Sequence, residues 1–250
     1  MKLSQLAKAL LASSMLFVGV QASAADPITV TGSTAFTSDY LFRGVSQTSN
    51  NAAVQGAMTF THTSGVYFSL WGSSIASGAG GLELDTLLGF GGKAGDVAYD
   101  LGVMRYNYPG LNDKGGYTDV KTGMPVDTDY NEIYGSVSTM GAKLGFNYSP
   151  DYFAESDKFM YLYASYGTEV AGVGLFASVG MNKFDDQDRM NQALLTSGTD
   201  DSYMDYKVAV SKTIGGVGVE GAYIGSDIDE DECGAGLCEG RFVVTLSKGF

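Results

Sequence analysis

The sequence has one histidine, two cysteines, one tryptophan and four prolines among 250 residues. A single histidine, His62, offers little for catalysis by a Ser–His pair or for a histidine-rich metal site. Basic residues are also few, because 15 Lys and Arg stand against 28 Asp and Glu, for a formal net charge of -13. This acidic balance argues against a nucleic-acid partner. After residue 24 there is no apolar run of about 18 residues, so no transmembrane helix is expected.

The first 24 residues are typical of a secretory signal peptide. Lys2 and Lys8 give a positive start, residues 9–20 form an apolar run, and an A-x-A sequence predicts cleavage near Ala24. An apolar run of about 12 residues is too short to anchor the chain in a bilayer. We therefore expect a single exported domain, residues 25–250, and loss of the two lysines takes the formal charge from -13 to -15.

Glycine, tyrosine and phenylalanine are abundant, with 35, 16 and 13 residues, as is typical of strands and turns. From residue 28 onward the sequence contains twelve alternating or aromatic-rich stretches. Most are roughly 8 to 12 residues long, close to the 9–11 that cross a bilayer at a tilt. The predicted strands are 28–37, 54–62, 66–73, 82–93, 97–108, 130–139, 143–149, 159–170, 173–182, 202–213, 217–226 and 240–250.

Short and long connections alternate between these stretches. The five short ones contain glycine, which tight hairpin turns need for positive φ. The six long ones are about 38–53, 74–81, 109–129, 150–158, 183–201 and 227–239. Outer-membrane barrels have short periplasmic turns and long extracellular loops, and an even strand number allows closure. We therefore predict an all-β, antiparallel, up-and-down transmembrane barrel of about 12 strands, with a soluble periplasmic β protein as the alternative.

Charged residues alternate with apolar ones along several of these strands. A Lys or Arg facing lipid near the midplane costs about 2–4 kcal/mol, so the charged face should line the lumen. The predicted lumen-lining residues are Glu83, Asp85, Lys93, Asp100, Glu132, Lys143, Asp205, Lys207, Glu220 and Arg241. Six acidic and four basic groups favour cations weakly, unless opposite charges pair and fill the lumen. The stretch 159–170 is apolar on both faces, and its orientation stays open.

Two features lie where the strands meet the long loops. Arg43, in the first long loop, either reaches into the lumen as a constriction charge or lies on the surface. Aromatic residues at the strand ends predict an outer interfacial girdle, with ordinary strand-end packing as the alternative. They are Tyr40, Phe42, Tyr106, Tyr108, Tyr130, Tyr148, Tyr152 and Phe153.

The last long loop carries the densest acidic cluster, Asp227, Asp229, Glu230, Asp231 and Glu232. Clustered carboxylates can contact divalent cations, and through them lipopolysaccharide, but the spacing matches no EF-hand and a solvated loop is the alternative. Cys233 and Cys238 in the same loop predict a disulfide in an exported protein. We expect no cofactor and no firm metal site.

Several motifs resemble the TorF-family porins, bacterial outer-membrane barrels of poorly defined function. They include TSDYLFRGVSQ at 37–47, AVQG at 53–56, YPG at 108–110, EIY at 132–134 and YSPDYF at 148–153. The likeness covers most of the chain after the signal peptide and is densest before residue 165. It implies an outer-membrane barrel with a pore role and carries over no catalytic or substrate-binding residues. The Cys233–Cys238 loop departs from the family pattern.

These observations predict an outer-membrane, narrow, passive diffusion channel for small hydrophilic solutes or ions. The alternative is a closed structural or interaction barrel whose acidic loops bind lipopolysaccharide, divalent cations or a partner. No enzyme is expected, since an outer-leaflet lipid hydrolase would need its histidine at the extracellular rim, whereas His62 falls at a short periplasmic turn.

The segment Gly240–Phe250 alternates apolar and polar residues and ends on an aromatic residue. It resembles the insertion signal read by the barrel-assembly machinery, although an ordinary edge strand has the same alternation. We expect it to pair with 28–37 and close the barrel. Lys248 falls on its lipid-facing side and is expected to reach the periplasmic interface.

Overall fold

The computed structural model describes residues 27–112 and 117–250, so the predicted signal peptide lies outside the described residues. Twelve antiparallel strands form a closed barrel in which each strand pairs with its neighbours in the chain and the last strand pairs with the first. The predicted fold class and strand number are therefore confirmed. None of the helices in the described part of the chain is long and apolar enough to cross a membrane.

The barrel strands begin and end within two residues of the predicted positions. They are β1 (Ile28–Thr37), β4 (Ala53–His62), β5 (Val66–Ser74), β6 (Leu82–Ala94), β7 (Val97–Asn107), β8 (Tyr130–Thr139), β9 (Ala142–Ser149), β10 (Phe159–Val170), β11 (Val173–Phe184), β12 (Ser202–Ile214), β13 (Val217–Ser226) and β14 (Arg241–Gly249). The long loops hold a small hairpin, β2 (Leu41–Phe42) with β3 (Val45–Ser46), and two helices, α1 (Pro109–Asn112) and α2 (Gln187–Leu194).

Side-chain alternation separates an apolar outer surface from a polar interior. On β6, Leu84 and Leu88 are 45% and 53% exposed, whereas Glu83 and Asp85 are buried. The orientation of β10, which its sequence leaves open, follows from burial. Phe159 is buried inside the barrel, while Met160 and Leu162 lie on the exposed face.

Tight turns close one end of the barrel, which we call the short-turn end, and the long loops emerge from the other, the long-loop end. Three of the turns place two consecutive residues at positive φ, namely Met140–Gly141, Ala171–Gly172 and Gly215–Gly216. This is the type I′ pattern, whose twist matches that of the flanking strands. Glycine at the second position adopts positive φ without a Cβ clash.

The seam between β1 and β14 closes the barrel. Ser33 pairs with Gly249 and Thr37 with Thr245, and the backbone of Phe250 exchanges two hydrogen bonds with Gly32, at 2.9 and 3.0 Å. A Cβ on Gly32 would lie 2.5 Å from the Phe250 ring, so this glycine gives the ring room against the outer wall. Beside the seam, Lys248 Nζ donates to the carbonyl of Gly216 at 2.8 Å.

Candidate functional site: the plugged lumen

The ten charged residues predicted to line the lumen occupy inward positions on their strands, and they fall into two levels. The level near the long loops is mainly acidic and contains Glu83, Asp85, Glu132, Asp205 and Arg241. The level toward the short-turn end has three lysines and contains Lys93, Asp100, Lys143, Lys207 and Glu220. The interior is thus polarised, with negative charge concentrated near the long loops.

Charges in the second level are partly paired. Lys207 Nζ lies 2.7 Å from Glu220 Oε1, and Tyr67 donates its hydroxyl to Asp100 Oδ1 at 2.9 Å. Lys143 lies over the ring of Tyr163, with its ammonium 5.7 Å from the ring centroid. These contacts join neighbouring or nearby strands along the wall.

Tyrosine rings in the interior lie along the wall over glycines of neighbouring strands. A Cβ on Gly145 would lie 2.4 Å from Tyr163 Cζ, and one on Gly180 would lie 2.2 Å from the ring of Tyr161. The missing side chains make room for rings that would otherwise project toward the barrel axis. These large aromatic side chains therefore lie along the wall and do not extend across the lumen.

The first long loop folds back into the long-loop end as a hairpin, residues 41–46, which we call the plug hairpin. Arg43 and Gly44 form its tip, with φ of 49° and 81°, and Phe42 pairs with Val45. A Cβ on Gly44 would lie 2.7 Å from the carbonyl oxygen of Gly225 on β13. The tip therefore fits its place because its second residue has no side chain.

The plug hairpin is fixed at its base by Asp39, which is buried. One carboxylate oxygen accepts hydrogen bonds from Ser46 Oγ at 2.8 Å and Thr48 Oγ1 at 2.5 Å. The other lies 3.0 Å from Arg241 on β14. The backbone amide of Ser46 also donates to the carbonyl of Leu237 in the last loop, at 2.9 Å.

Arg43 at the tip forms a buried two-point ion pair with Glu132 on β8. Its two terminal nitrogens lie 2.8 and 2.9 Å from the carboxylate oxygens, and the side chains are 5% and 0% exposed. Glu132 also accepts from Tyr106 at 3.2 Å and from Asn147 at 2.8 Å. Of the two alternatives for Arg43, the lumen position is the one observed.

Aromatic faces surround the same guanidinium. Its central carbon lies 4.7 Å from the ring centroid of Phe159, 4.6 Å from that of Tyr161 and 5.9 Å from that of Tyr152. We call Glu132, Tyr152, Phe159 and Tyr161 the guanidinium cage. Planar charge, carboxylate fork and aromatic faces are the combination that arginine fits best.

Negative charge exceeds positive charge around the cage. Asp205 accepts hydrogen bonds from Asn182 at 2.8 Å and Tyr161 at 3.2 Å. On the other side, Tyr108 donates to Glu83 at 3.0 Å, while Asp85 Oδ1 is buried without a hydrogen-bond partner among the described residues. One buried arginine therefore lies among several inward carboxylates at the long-loop end of the lumen.

The aromatic girdle predicted at the outer interface is wrong for most of its members. Tyr106, Tyr108, Tyr130 and Tyr152 are 3–6% exposed and pack inside the mouth of the barrel, with Tyr106 and Tyr130 stacked at 4.3 Å. Tyr40, Phe42 and Phe153 pack against the same cluster. Tyr106 and Tyr130 share the strand face of Asp100 and Glu132, so the alternation already placed them inward. Tyr148, opposite the exposed Ile133, is on the outer face.

Three loops, residues 117–129, 150–158 and 185–201, join over the mouth as a loop cap. Arg189 on α2 lies 2.6 Å from Asp119 and 2.5 Å from Asp157, and Lys121 lies 2.9 Å from Asp186, which caps α2. The hydrogen bond from Arg189 holds the pKa of the Asp119 carboxyl well below its usual range. The cap is therefore joined by charge pairs between loops, together with the buried side chains of Met190 and Ala193 on α2.

The last loop contains the disulfide between Cys233 and Cys238, with Cα atoms 5.9 Å apart. Its acidic residues line a surface concavity rather than the lumen; they are Asp227, Asp229, Glu230, Asp231 and Glu232. Among the described residues, no three His, Cys, Asp or Glu side chains are grouped to hold a metal ion.

His62, at the short-turn end, is exposed, and its Nδ1 lies 2.8 Å from Ser64 Oγ in the same turn.

The sequence matches, over residues 21–250, a family described as "Bacterial protein of unknown function (Gcw_chp)". No curated protein matches it. One similar solved structure is the KdgM porin, with 8% sequence identity and a TM-score of 0.49 over 89% of this chain and 99% of that one. Another is the NanC porin, with 5% identity and a TM-score of 0.48 over 88% of this chain and 98% of that one. LpxR from Salmonella typhimurium is also similar, with 9% identity and a TM-score of 0.46 over 88% of this chain and 99% of that one.

Proposed function

The chain belongs to the Gcw_chp family of bacterial proteins of unknown function, and we propose that it is an outer-membrane channel for small hydrophilic solutes, held closed by its own first loop. Conduction would require the plug hairpin to leave the lumen. The resemblance of its motifs to the TorF-family porins supports this proposal.

One observation carries the proposal: the segment that enters the mouth belongs to a loop. The plug hairpin is attached to the wall through loop residues such as Asp39 and through the Arg43–Glu132 pair. A barrel built only as a solid scaffold would fill its interior from its own strands. A loop tip can leave without altering strand pairing, which makes it suited to a gate.

The distribution of charge indicates which solutes such a channel would favour. Glu83, Asp85 and Asp205 lie near the mouth, and Asp85 has an oxygen without a hydrogen-bond partner among the described residues. Rings of inward carboxylates favour cations and disfavour anions. We therefore propose a preference for cationic over anionic solutes.

A closed structural or interaction barrel is the second candidate, and the depth of the plug favours it. Glu132 is 0% exposed, and a buried ion pair inside an aromatic cluster could hold the mouth permanently. In that case the loops, including the acidic loop 227–239, would carry the function through lipopolysaccharide, cations or a partner. We propose no catalytic role in either case, because the single histidine belongs to an exposed turn.

Liposome swelling separates the two candidates. Arg43→Ala removes the side chain that bonds the plug to Glu132, so vesicles containing this variant should swell in arabinose or lysine hydrochloride at least several-fold faster than wild-type vesicles. The control is Arg105→Ala, since Arg105 is 45% exposed and pairs with Asp129. Equal, background swelling of all three proteins would favour the closed barrel.

We also propose that β14 is the segment read by the barrel-assembly machinery, and that the outer apolar surface contacts membrane lipid. Phe250 is 62% exposed at the end of β14, and Phe242, at its other end, is 84% exposed. Phe250→Ala should reduce the fraction of heat-modifiable barrel recovered from outer membranes, whereas Phe242→Ala should not. Equal recovery of the two variants would rule out a special role for the terminal ring.

A further inference from the structure

We infer that the guanidinium cage is a binding site for free guanidinium-bearing solutes, and that Arg43 is its resident internal ligand. This inference rests on the proposed function for its biological meaning, because the cage becomes available only when the plug hairpin leaves. It deepens that proposal by naming the class of solute.

The four cage residues belong to the barrel wall and one loop. The hairpin supplies the occupant and one further aromatic face, that of Phe42, whose ring centroid lies 4.6 Å from the central carbon of the Arg43 guanidinium. Glu132 lies on β8, Phe159 and Tyr161 on β10, and Tyr152 in the loop between β9 and β10. None of these residues lies within residues 41–46. Withdrawal of the hairpin therefore removes Arg43 and the ring of Phe42, and it leaves the four cage residues in place.

The wall holds the carboxylate of the cage in position independently of Arg43. Asn147 on β9 and Tyr106 on β7 both donate to Glu132 Oε2, at 2.8 and 3.2 Å. Glu132 Oε1 has Arg43 as its hydrogen-bond partner. After withdrawal, Glu132 would be an oriented carboxylate lacking its cation, next to two aromatic faces.

The geometry distinguishes guanidinium from other cations. The two terminal nitrogens of Arg43 meet the two oxygens of one carboxylate, a fork that an ammonium cannot reproduce. The central carbon of the guanidinium also lies 4.6 Å from the ring centroid of Tyr161 and 4.7 Å from that of Phe159. Burial of Tyr152 raises the pKa of its hydroxyl to about 12, so its oxygen, 3.4 Å from Arg43, accepts as a neutral group.

The test uses purified full-length protein in detergent, with Trp71 as the reporter. Trp71 is the only tryptophan and its ring packs against Tyr40, at the base of the first loop, with centroids 5.4 Å apart. L-arginine is titrated into wild-type protein, Arg43→Ala and the double variant Arg43→Ala/Glu132→Gln. L-citrulline, which has the same shape without the charge, is the matched control ligand.

Arginine should bind Arg43→Ala at least about tenfold more tightly than it binds either the wild type or the double variant, because a charge-assisted hydrogen bond contributes roughly that factor. Citrulline should bind none of them measurably. Failure of a folded Arg43→Ala barrel to bind arginine, or equal binding by the double variant, would overturn the inference. So would equal binding of citrulline.

If Arg43→Ala folds poorly, the yield of heat-modifiable barrel becomes the readout. Arginine should then raise the yield of Arg43→Ala and leave that of the double variant unchanged, and an equal rise in both would contradict the site. Binding in detergent does not depend on conduction. Arginine binding without solute flux would retain the cage and reject the channel, and flux without binding would do the reverse.

Discussion

At the scale of single residues, the proposed closure of the mouth depends on a glycine and an arginine that are adjacent in the chain. Gly44 supplies the positive φ and the absence of a Cβ that let the tip lie against Gly225. Arg43 then reaches Glu132. Replacing one partner of a buried ion pair leaves the other unpaired, at a cost of about 3–5 kcal/mol.

Gly44→Ala tests this closure without changing any charge. The added methyl group would meet a backbone carbonyl at 2.7 Å in a conformation with φ of 81°, so the tip should withdraw from the wall. We expect faster hydrogen exchange in residues 40–48 and a shift in Trp71 fluorescence, with strand exchange unchanged. Gly78→Ala is the control, because a Cβ there would meet nothing within 4 Å. Identical exchange in both variants would contradict the packing described.

At the scale of elements, the loop cap depends on charge pairs in addition to the buried side chains of α2, whereas the barrel is held by strand pairing. α2 joins the cap through Arg189, whose partners Asp119 and Asp157 come from two other loops. The cap should therefore respond to pH and salt under conditions in which the barrel does not.

Acid should open the cap first. The depressed pKa of Asp119, caused mainly by its hydrogen bond to Arg189, means that this contact stabilises the folded cap above the ordinary carboxyl pKa of about 4. The stabilisation declines as the pH falls below that value, and it is fully lost only below the much lower pKa that Asp119 has in the folded cap. Proteolytic cleavage in 117–129 and 185–201, assayed after a pH 3 pulse, should increase, and Arg189→Ala should show the same cleavage at pH 7. The control is Lys158→Ala, which should behave as wild type because Lys158 is exposed and lies 3.8 Å from its partner Asp185. Protection of Arg189→Ala at pH 7 would argue against the charge network.

Strand positions were predictable because two local signals repeat along the chain, the period of two and glycine in the short turns. The pair Arg43–Gly44 carries the same two-residue signal as Met140–Gly141, so the plug hairpin could also have been recognised. The place where the hairpin tip packs could not be predicted, because the contact between Arg43 and Glu132 joins residues 89 positions apart. Strand alternation indicates that Glu132 faces inward, and only the folded loop shows what it meets.

At the scale of the whole molecule, the protein is a closed β-barrel whose mouth holds the plug hairpin among inward carboxylates. The plug hairpin, residues 41–46, lies outside the twelve strands that form the wall and outside the seam between β1 and β14. Removing the occupant should therefore leave the barrel intact, which heat-modifiable migration can verify before any functional measurement.

The most direct measurement is single-channel conductance in planar bilayers, comparing the wild type with a variant whose residues 41–46 are replaced by six glycine and serine residues. The variant should give stable, cation-selective openings, and the wild type should remain mostly closed with brief openings. An equal-length replacement of 227–232 should behave as wild type. A correctly folded plug replacement that never raises the conductance would contradict the proposed channel.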